Sequence, residues 1–210
     1  MNFPITIVDD FYPDPDKVRQ FALDQQYTQS HPGYPGVRTE QLHTIDQPFT
    51  DQFCQRLFSL FYDFMAPIEW DLSTSFHLIQ PYNNPKANTG LIHKDYKALC
   101  AGVVYLNPNP DPTSGTTLCQ PNNTHQYKQE DWDSKLFSYD EDYISNVIPQ
   151  HTSMFNQTLA IDNVYNRMVL YDGDYWHKIS KYTPDRLNQV FFVYQVKSPI
   201  PPPIYRMNFV

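Results

Sequence analysis

The run Leu91-Ile92-His93-Lys94-Asp95-Tyr96, just ahead of the apolar run Leu99–Leu106, decides the fold that we expect for this chain. His93 and Asp95 are two residues apart, and residues i and i+2 of a β-strand point to the same face. An imidazole and a carboxylate can therefore converge on one point. One histidine and one carboxylate do not hold a catalytic metal alone, and the best candidate for a third ligand is His177.

The composition of the chain limits its partners. Its 210 residues suffice for one domain with a sizeable core, and we expect 1–210 to form a single domain. The net charge of −8 argues against nucleic acid, which needs clustered Lys and Arg, and favours a neutral or cationic substrate. No apolar run approaches the ~18 residues that cross a bilayer. Met1–Pro4 lacks signal-peptide features, so we expect a cytoplasmic protein.

Hydrophobic periodicity predicts helices first and strands afterwards. One helix begins at Asp14, with Pro15 at its first position, and a second runs from about Thr50 to Met65. Strands are then predicted at Ile5–Val8, Ser75–Gln80, around His93, and at Leu99–Leu106, Thr116–Cys119, Thr158–Ile161, Arg167–Tyr171 and, beyond these, from Arg186 to Val196.

Two segments do not follow this pattern. We expect 120–157 to be an insertion or lid, partly helical around 129–137, and 199–210 to be an extended proline-rich tail. The order of the elements favours a mainly β fold with flanking helices. Its core would be a double-stranded β-helix, a cupin-like jelly roll, with the N-terminal helices packed on one sheet.

Two imidazoles and one carboxylate on one side of a metal leave further positions open, which is typical of non-haem Fe(II) oxygenases. His93, Asp95 and His177 supply these residue types. Arg186 opens the strand that follows His177. A guanidinium directed into a barrel mouth is costly unless it meets an anion, and its planar fork suits a carboxylate. Arg186 is therefore our candidate anchor for an acidic cosubstrate.

The order His93/Asp95, His177, Arg186 resembles the Fe(II)/2-oxoglutarate-dependent dioxygenases, particularly the prolyl-hydroxylase-like branch. Tyr105-Leu106-Asn107 is similar to the strand end of that branch, and Val8–Tyr12 is similar to its opening. The turn at 114–117 lacks the second Gly and the Glu that are usual there, and 120–157 is longer than a simple hairpin.

The resemblance implies a jelly roll that binds Fe(II) through His93, Asp95 and His177 and takes O₂ as a cosubstrate. It implies that Arg186 and Tyr105 bind the distal carboxylate of 2-oxoglutarate, with Gln80 or Tyr82 lining the same pocket. The implied reaction couples oxidative decarboxylation of 2-oxoglutarate to hydroxylation of a C–H bond. The substrate would be a small molecule or an amino-acid side chain of a peptide or protein.

Plainer interpretations stay open at this point. A His-x-Asp pair is also typical of an edge-strand hydrogen bond, Arg186 of an ordinary ion pair, and Tyr105 of a core tyrosine. The remaining histidines are expected to be surface or packing residues: His31, His43, His77, His125 and His151. The chain as a whole could instead be a cupin-like metal-binding protein, a non-catalytic binding module on the same fold, or an interaction protein.

Overall fold

The computed structural model describes residues 5–29, 35–62, 67–95, 97–122 and 141–199. Within these ranges the helices are α1 (Pro15–Leu23), α2 (Leu42–Ile45), α3 (Gln47–Phe58) and α4 (Glu141–Thr152), with short 3₁₀ turns at Pro85–Ala87 and Pro112–Ser114. The strands are β1 (Thr6–Val8), β2 (Val37–Arg38), β3 (Glu69–Ile79), β4 (Cys100–Tyr105), β5 (Thr116–Pro121), β6 (Phe155–Ile161), β7 (Met168–Asp172), β8 (His177–Ile179) and β9 (Arg186–Lys197).

The strands form two antiparallel sheets. The large sheet has the order β1-β7-β4-β9-β3-β2, and the small sheet has the order β6-β5-β8. Strands that are distant in sequence are neighbours in both sheets, since β4 pairs with both β7 and β9, and β5 pairs with both β6 and β8. The mainly β, antiparallel fold with a few helices is therefore confirmed.

The centre of the large sheet is β4, the strand predicted most clearly by the sequence. All its residues are buried, as expected for an apolar run that is covered on both faces. Side chains of β4 alternate between two clusters. Val104 belongs to the cluster that also contains helix residues, and Val103 belongs to the cluster that faces the small sheet.

Side chains from α1 and α3 contact one face of the large sheet. Phe53 of α3 lies edge-on to Phe191 of β9, with ring centroids 5.2 Å apart, and Phe21 of α1 lies edge-on to Phe76 of β3 at 5.9 Å. Such pairs contribute about 0.5–1.5 kcal/mol beyond the burial of their area. The opposite face of the sheet lines a cavity.

The start of α1 agrees with its prediction, but the bounds of α3 do not. Asp14 caps α1 by accepting a hydrogen bond from the Lys17 amide at 3.3 Å. Asp46 caps α3 by accepting one from the Phe49 amide at 2.9 Å, so the helix begins ahead of Thr50. It ends at Phe58, earlier than predicted. The N-cap Asp46 and the early Pro48 determine where α3 begins, whereas the spacing of its apolar residues predicted a later start.

Two further predictions need correction or lie outside the described residues. His93 does not belong to a regular strand; it forms an isolated antiparallel bridge with His177. The helix predicted at 129–137 falls outside the described residues, as does 200–210 of the predicted tail. In the described part of 120–157, α4 precedes β6. A search of the described helices finds none with the length and apolarity required to span a membrane.

Candidate metal centre

Backbone pairing holds the two histidines of the site side by side. The His93 amide donates to the His177 carbonyl, and the His177 amide donates to the His93 carbonyl, each at 3.0 Å. Directly paired residues of an antiparallel ladder project their side chains to the same face. The two imidazole rings accordingly lie with their centroids 4.4 Å apart.

Asp95 is placed by the turn that follows β7. Its amide donates to the carbonyl of Gly173 at 2.8 Å. The chain approaches Gly173 so closely that a Cβ there would lie 2.1 Å from the Ala98 carbonyl oxygen and 2.9 Å from that of Asp95. Only glycine allows this approach, and the contact brings the carboxylate to the two imidazoles.

Each imidazole is oriented by the backbone carbonyl of the residue two positions earlier in the chain. His93 Nδ1 donates to the Leu91 carbonyl at 3.0 Å, and His177 Nδ1 donates to the Tyr175 carbonyl at 2.9 Å. Because a carbonyl only accepts, Nδ1 of each ring carries a proton, and Nε2 is the ring atom that can bind a metal. Both Nε2 atoms face Asp95, at 3.7 Å for His93 and 3.3 Å for His177.

The charges of the site favour metal binding. Burial lowers the pKa of His93 below its usual value, and the neighbouring His177 lowers it further, although Asp95 opposes both effects. Burial opposes ionisation of Asp95, yet its pKa lies below the usual value because His177 and His93 stabilise the carboxylate. A neutral imidazole and an ionised carboxylate are the forms that bind a cation without first releasing a proton.

These donors fit a transition-metal ion. One ligand atom from each of His93, Asp95 and His177 lies within 4.8 Å of the others. Adjacent ligands at about 2.1 Å from a metal lie about 3 Å apart, so the observed 3.3 and 3.7 Å need only a small contraction. Two imidazoles and one carboxylate are also the donor set that leaves open positions for a second ligand.

A cavity of about 350 Å³ extends from these three residues between the two sheets. Its size is typical of small-molecule sites, which occupy about 300–1,000 Å³. Arg186 also lines it and is buried, with 2% of its surface exposed. The guanidinium carbon lies 5.4 Å from the centre of the Tyr105 ring, whose hydroxyl is 2.7 Å from Thr116 Oγ1. Arg186 and Thr116 line the cavity, whereas Tyr105, which contacts both, is fully buried and is not among the described lining residues.

The structure places two predicted pocket residues elsewhere. Gln80 is exposed and donates to Asp185 at 3.1 Å. The ring of Tyr82 lies edge-on to Tyr182, 6.0 Å away, and packs in a separate cluster with residues of α4. Neither is among the residues that line the cavity in the described part of the chain. His77 of β3 lines the cavity, and residues i and i+2 of a strand share a face, so alternation assigns Gln80 to the opposite face of the sheet.

Three polar residues of the wall were not predicted to belong to the site. Arg38, His77 and Asn188 all line the cavity. His77 was expected only at the surface or in packing. Asn188 has a sequence signal, because it stands two residues after Arg186 in the same strand. When its amide is oriented to satisfy both polar atoms, Asn188 accepts a hydrogen bond from Arg186 Nη1 at 2.9 Å.

Comparison with known proteins gives a family and a fold. The model of a family of unknown function, DUF6445, matches residues 2–188. The chain belongs to the DUF6445 family. No curated protein matches this DUF6445 chain.

Solved structures similar to this DUF6445 chain include Fe(II)/2-oxoglutarate oxygenases. HygX from Streptomyces hygroscopicus, with nickel and 2-oxoglutarate bound, has a TM-score of 0.59 at 11% identity, covering 92% of this chain and 83% of that one. A prolyl hydroxylase from Trichoplax adhaerens, in complex with a hypoxia inducible factor peptide, has a TM-score of 0.52 at 13% identity, with 90% and 83% covered. The predicted resemblance and the jelly-roll fold are therefore confirmed.

Proposed function

We propose that this protein is a non-haem Fe(II) oxygenase that couples oxidative decarboxylation of 2-oxoglutarate to hydroxylation of a substrate C–H bond. The observation that carries the proposal is the convergence of His93, Asp95 and His177 in a cavity that also contains a buried arginine. The fold shared with HygX, which binds nickel and 2-oxoglutarate, supports the same assignment.

His93 Nε2, His177 Nε2 and one oxygen of Asp95 would hold the iron. The bound iron would supply O₂ activation coupled to the oxidative decarboxylation of 2-oxoglutarate to succinate and CO₂. The protein keeps the three donors in place before the metal arrives. The carbonyls of Leu91 and Tyr175 hold the rings in the binding tautomer, which limits the reorganisation that metal binding requires.

Arg186 would bind the distal carboxylate of 2-oxoglutarate, with the Tyr105 hydroxyl or Thr116 as the neighbouring donor. Burial makes this ion pair stronger than a surface pair, because water does not screen it. Asn188 accepts a hydrogen bond from Nη1 and so helps to fix the position of the guanidinium. Arg186 is thus a binding and positioning residue, and the three donors are the metal ligands.

The rest of the chain would act as scaffold and cover. We infer that 1–210 forms one catalytic domain, in which α1 and α3 cover the face of the large sheet that is remote from the metal. Ile144 and Ile148 of α4 pack against Ala87 and Tyr82. This contact supports a role for 120–157 in covering the substrate.

Succinate release tests this function. The protein is incubated with Fe(II), O₂ and 2-oxoglutarate, with and without a panel of peptides and free amino acids. We expect slow succinate formation alone and faster formation with a substrate. Asp95→Asn, which keeps the shape of the side chain but removes its charge, should abolish both. The proposal fails if wild type and Asp95→Asn form succinate at the same rate.

A further inference from the structure

A polar row crosses the cavity face of the large sheet. Strand register pairs Arg38 of β2 with His77 of β3, His77 with Asn188 of β9, and Asn188 with Tyr105 of β4. Directly paired residues project to the same face, so the four side chains form one row. Arg38, His77 and Asn188 line the cavity, and Tyr105 lies beside Arg186.

The neighbouring rows of the same face are largely apolar. Val103 pairs with Val190, and Ala101 pairs with Phe192. Tyr171, which pairs with Ala101, lies 4.4 Å from the His177 ring, so this end of the face belongs to the metal centre. Ala101, at this end, and Tyr105, in the polar row, are four residues apart along β4, which is about 13 Å at 3.3 Å per residue. The cavity is therefore polar at both ends and apolar between them.

The two arginines of the cavity project from opposite ends of this row. Arg186 lies over the Tyr105 ring on β4. Arg38 lies on β2, on the side of β9 that is opposite to β4. Two strand spacings, about 10 Å, separate β2 from β9. His77 lies between them and is neutral, because burial and the charges of Arg38 and Arg186 hold its pKa well below the usual value.

We propose that Arg38 and His77 form a second anion site, and that the substrate oxidised in this cavity carries a carboxylate or a similar acidic group. The inference rests on the proposed function, since it concerns the substrate of that site. Arg38 would bind the acidic group, and the apolar rows would contact the carbon skeleton and place a C–H bond near the metal. His77 would hydrogen-bond the same group, and Ser75 Oγ, 2.9 Å from His77 Nε2, orients its ring.

The charge of the cavity supports an anionic substrate. Its lining includes two arginines, whereas the carboxylate on the described wall is Asp95, which faces the imidazoles. Lys178 also lines the cavity and is buried, with 4% of its surface exposed. One arginine suffices for the distal carboxylate of 2-oxoglutarate. This positive lining opposes the neutral or cationic substrate that the overall charge of −8 favours.

The test uses benzoate as a carboxylate probe and benzamide as its neutral match. The full chain is loaded with Ni(II), saturated with 2-oxoglutarate, and titrated with each probe by calorimetry. We expect benzoate to bind at least tenfold more tightly than benzamide. Arg38→Gln should weaken benzoate at least tenfold and 2-oxoglutarate less than threefold, and Arg38→Lys should restore part of the benzoate affinity. The backbone bonds of Arg38 to Thr28, at 2.8 and 2.9 Å, do not involve the replaced group.

Three results would overturn the second anion site. These are no benzoate binding at tens of millimolar, displacement of 2-oxoglutarate by benzoate, or equal benzoate affinity in wild type and Arg38→Gln. If 2-oxoglutarate fails to bind the nickel protein, it is the proposed function that fails. The same benzoate titration on the metal-free chain then still decides whether Arg38 binds an anion.

Discussion

Replacing Arg186 with glutamine should remove most of the affinity for 2-oxoglutarate while leaving metal binding intact. The substitution keeps a polar side chain at a site with 2% exposure but removes the guanidinium charge. The metal donors come from other segments, two of them joined by the His93–His177 bridge, so their geometry does not depend on this side chain.

The size of the effect follows from burial. Truncating one partner of a buried, hydrogen-bonded charge pair costs about 2–5 kcal/mol. With Asn188 already occupying one donor of Arg186, we expect about 3 kcal/mol, which corresponds to a dissociation constant roughly 100-fold higher. The assay is calorimetric titration of 2-oxoglutarate into the Ni(II)-loaded protein, preceded by a Ni(II) titration of each variant.

Arg167→Gln is the matched control. Arg167 directly precedes β7, a strand of the large sheet. Its guanidinium donates to Asp9 at the surface, at 2.6 and 2.9 Å. Its loss should change the affinity for 2-oxoglutarate less than twofold. A change below threefold in Arg186→Gln, with Ni(II) still bound, would refute the role assigned to Arg186.

Three further predictions concern the metal site and the fold. Gly173→Ala should weaken Ni(II) binding at least tenfold, because its Cβ would lie 2.1 Å from the Ala98 carbonyl; equal affinity would contradict the packing argument. His177→Ala should abolish stoichiometric Ni(II) binding, whereas the exposed His43→Ala should not. His77 is held neutral when folded, but the unfolded chain protonates it below its usual pKa of 6.5, so acid favours unfolding. The free energy of unfolding should therefore fall by about 1.4 kcal/mol more per pH unit below 6.5 in wild type than in His77→Gln; parallel slopes would refute this.

Local patterns predicted the parts of the site that depend on short distances along the chain. His93 and Asp95 are two residues apart, so any extended backbone directs them to one side, and an isolated bridge is sufficient for this. Arg186 opens β9, and alternation along that strand also directs Asn188 into the cavity. The strand β4 was predicted because an apolar run of its length is typical of a buried strand.

The polar row could not be predicted because it depends on register between strands that are far apart in sequence. Nothing near Arg38 in the chain indicates that it pairs with His77, or that His77 pairs with Asn188. The position of Gln80, outside the described cavity lining, could not be predicted for a related reason. Whether a residue just past a strand end faces the cavity or the solvent depends on its partner, here Asp185.

The measurement that tests the central claim most directly is the visible absorption spectrum of the protein with Fe(II) and 2-oxoglutarate in the absence of oxygen. If His93, Asp95 and His177 hold the iron and leave positions for 2-oxoglutarate, a weak charge-transfer band should appear only when both are present. The band should be lost in His177→Ala and should require roughly 100-fold more 2-oxoglutarate in Arg186→Gln. Fe(II) binding without a band at saturating 2-oxoglutarate would contradict the account.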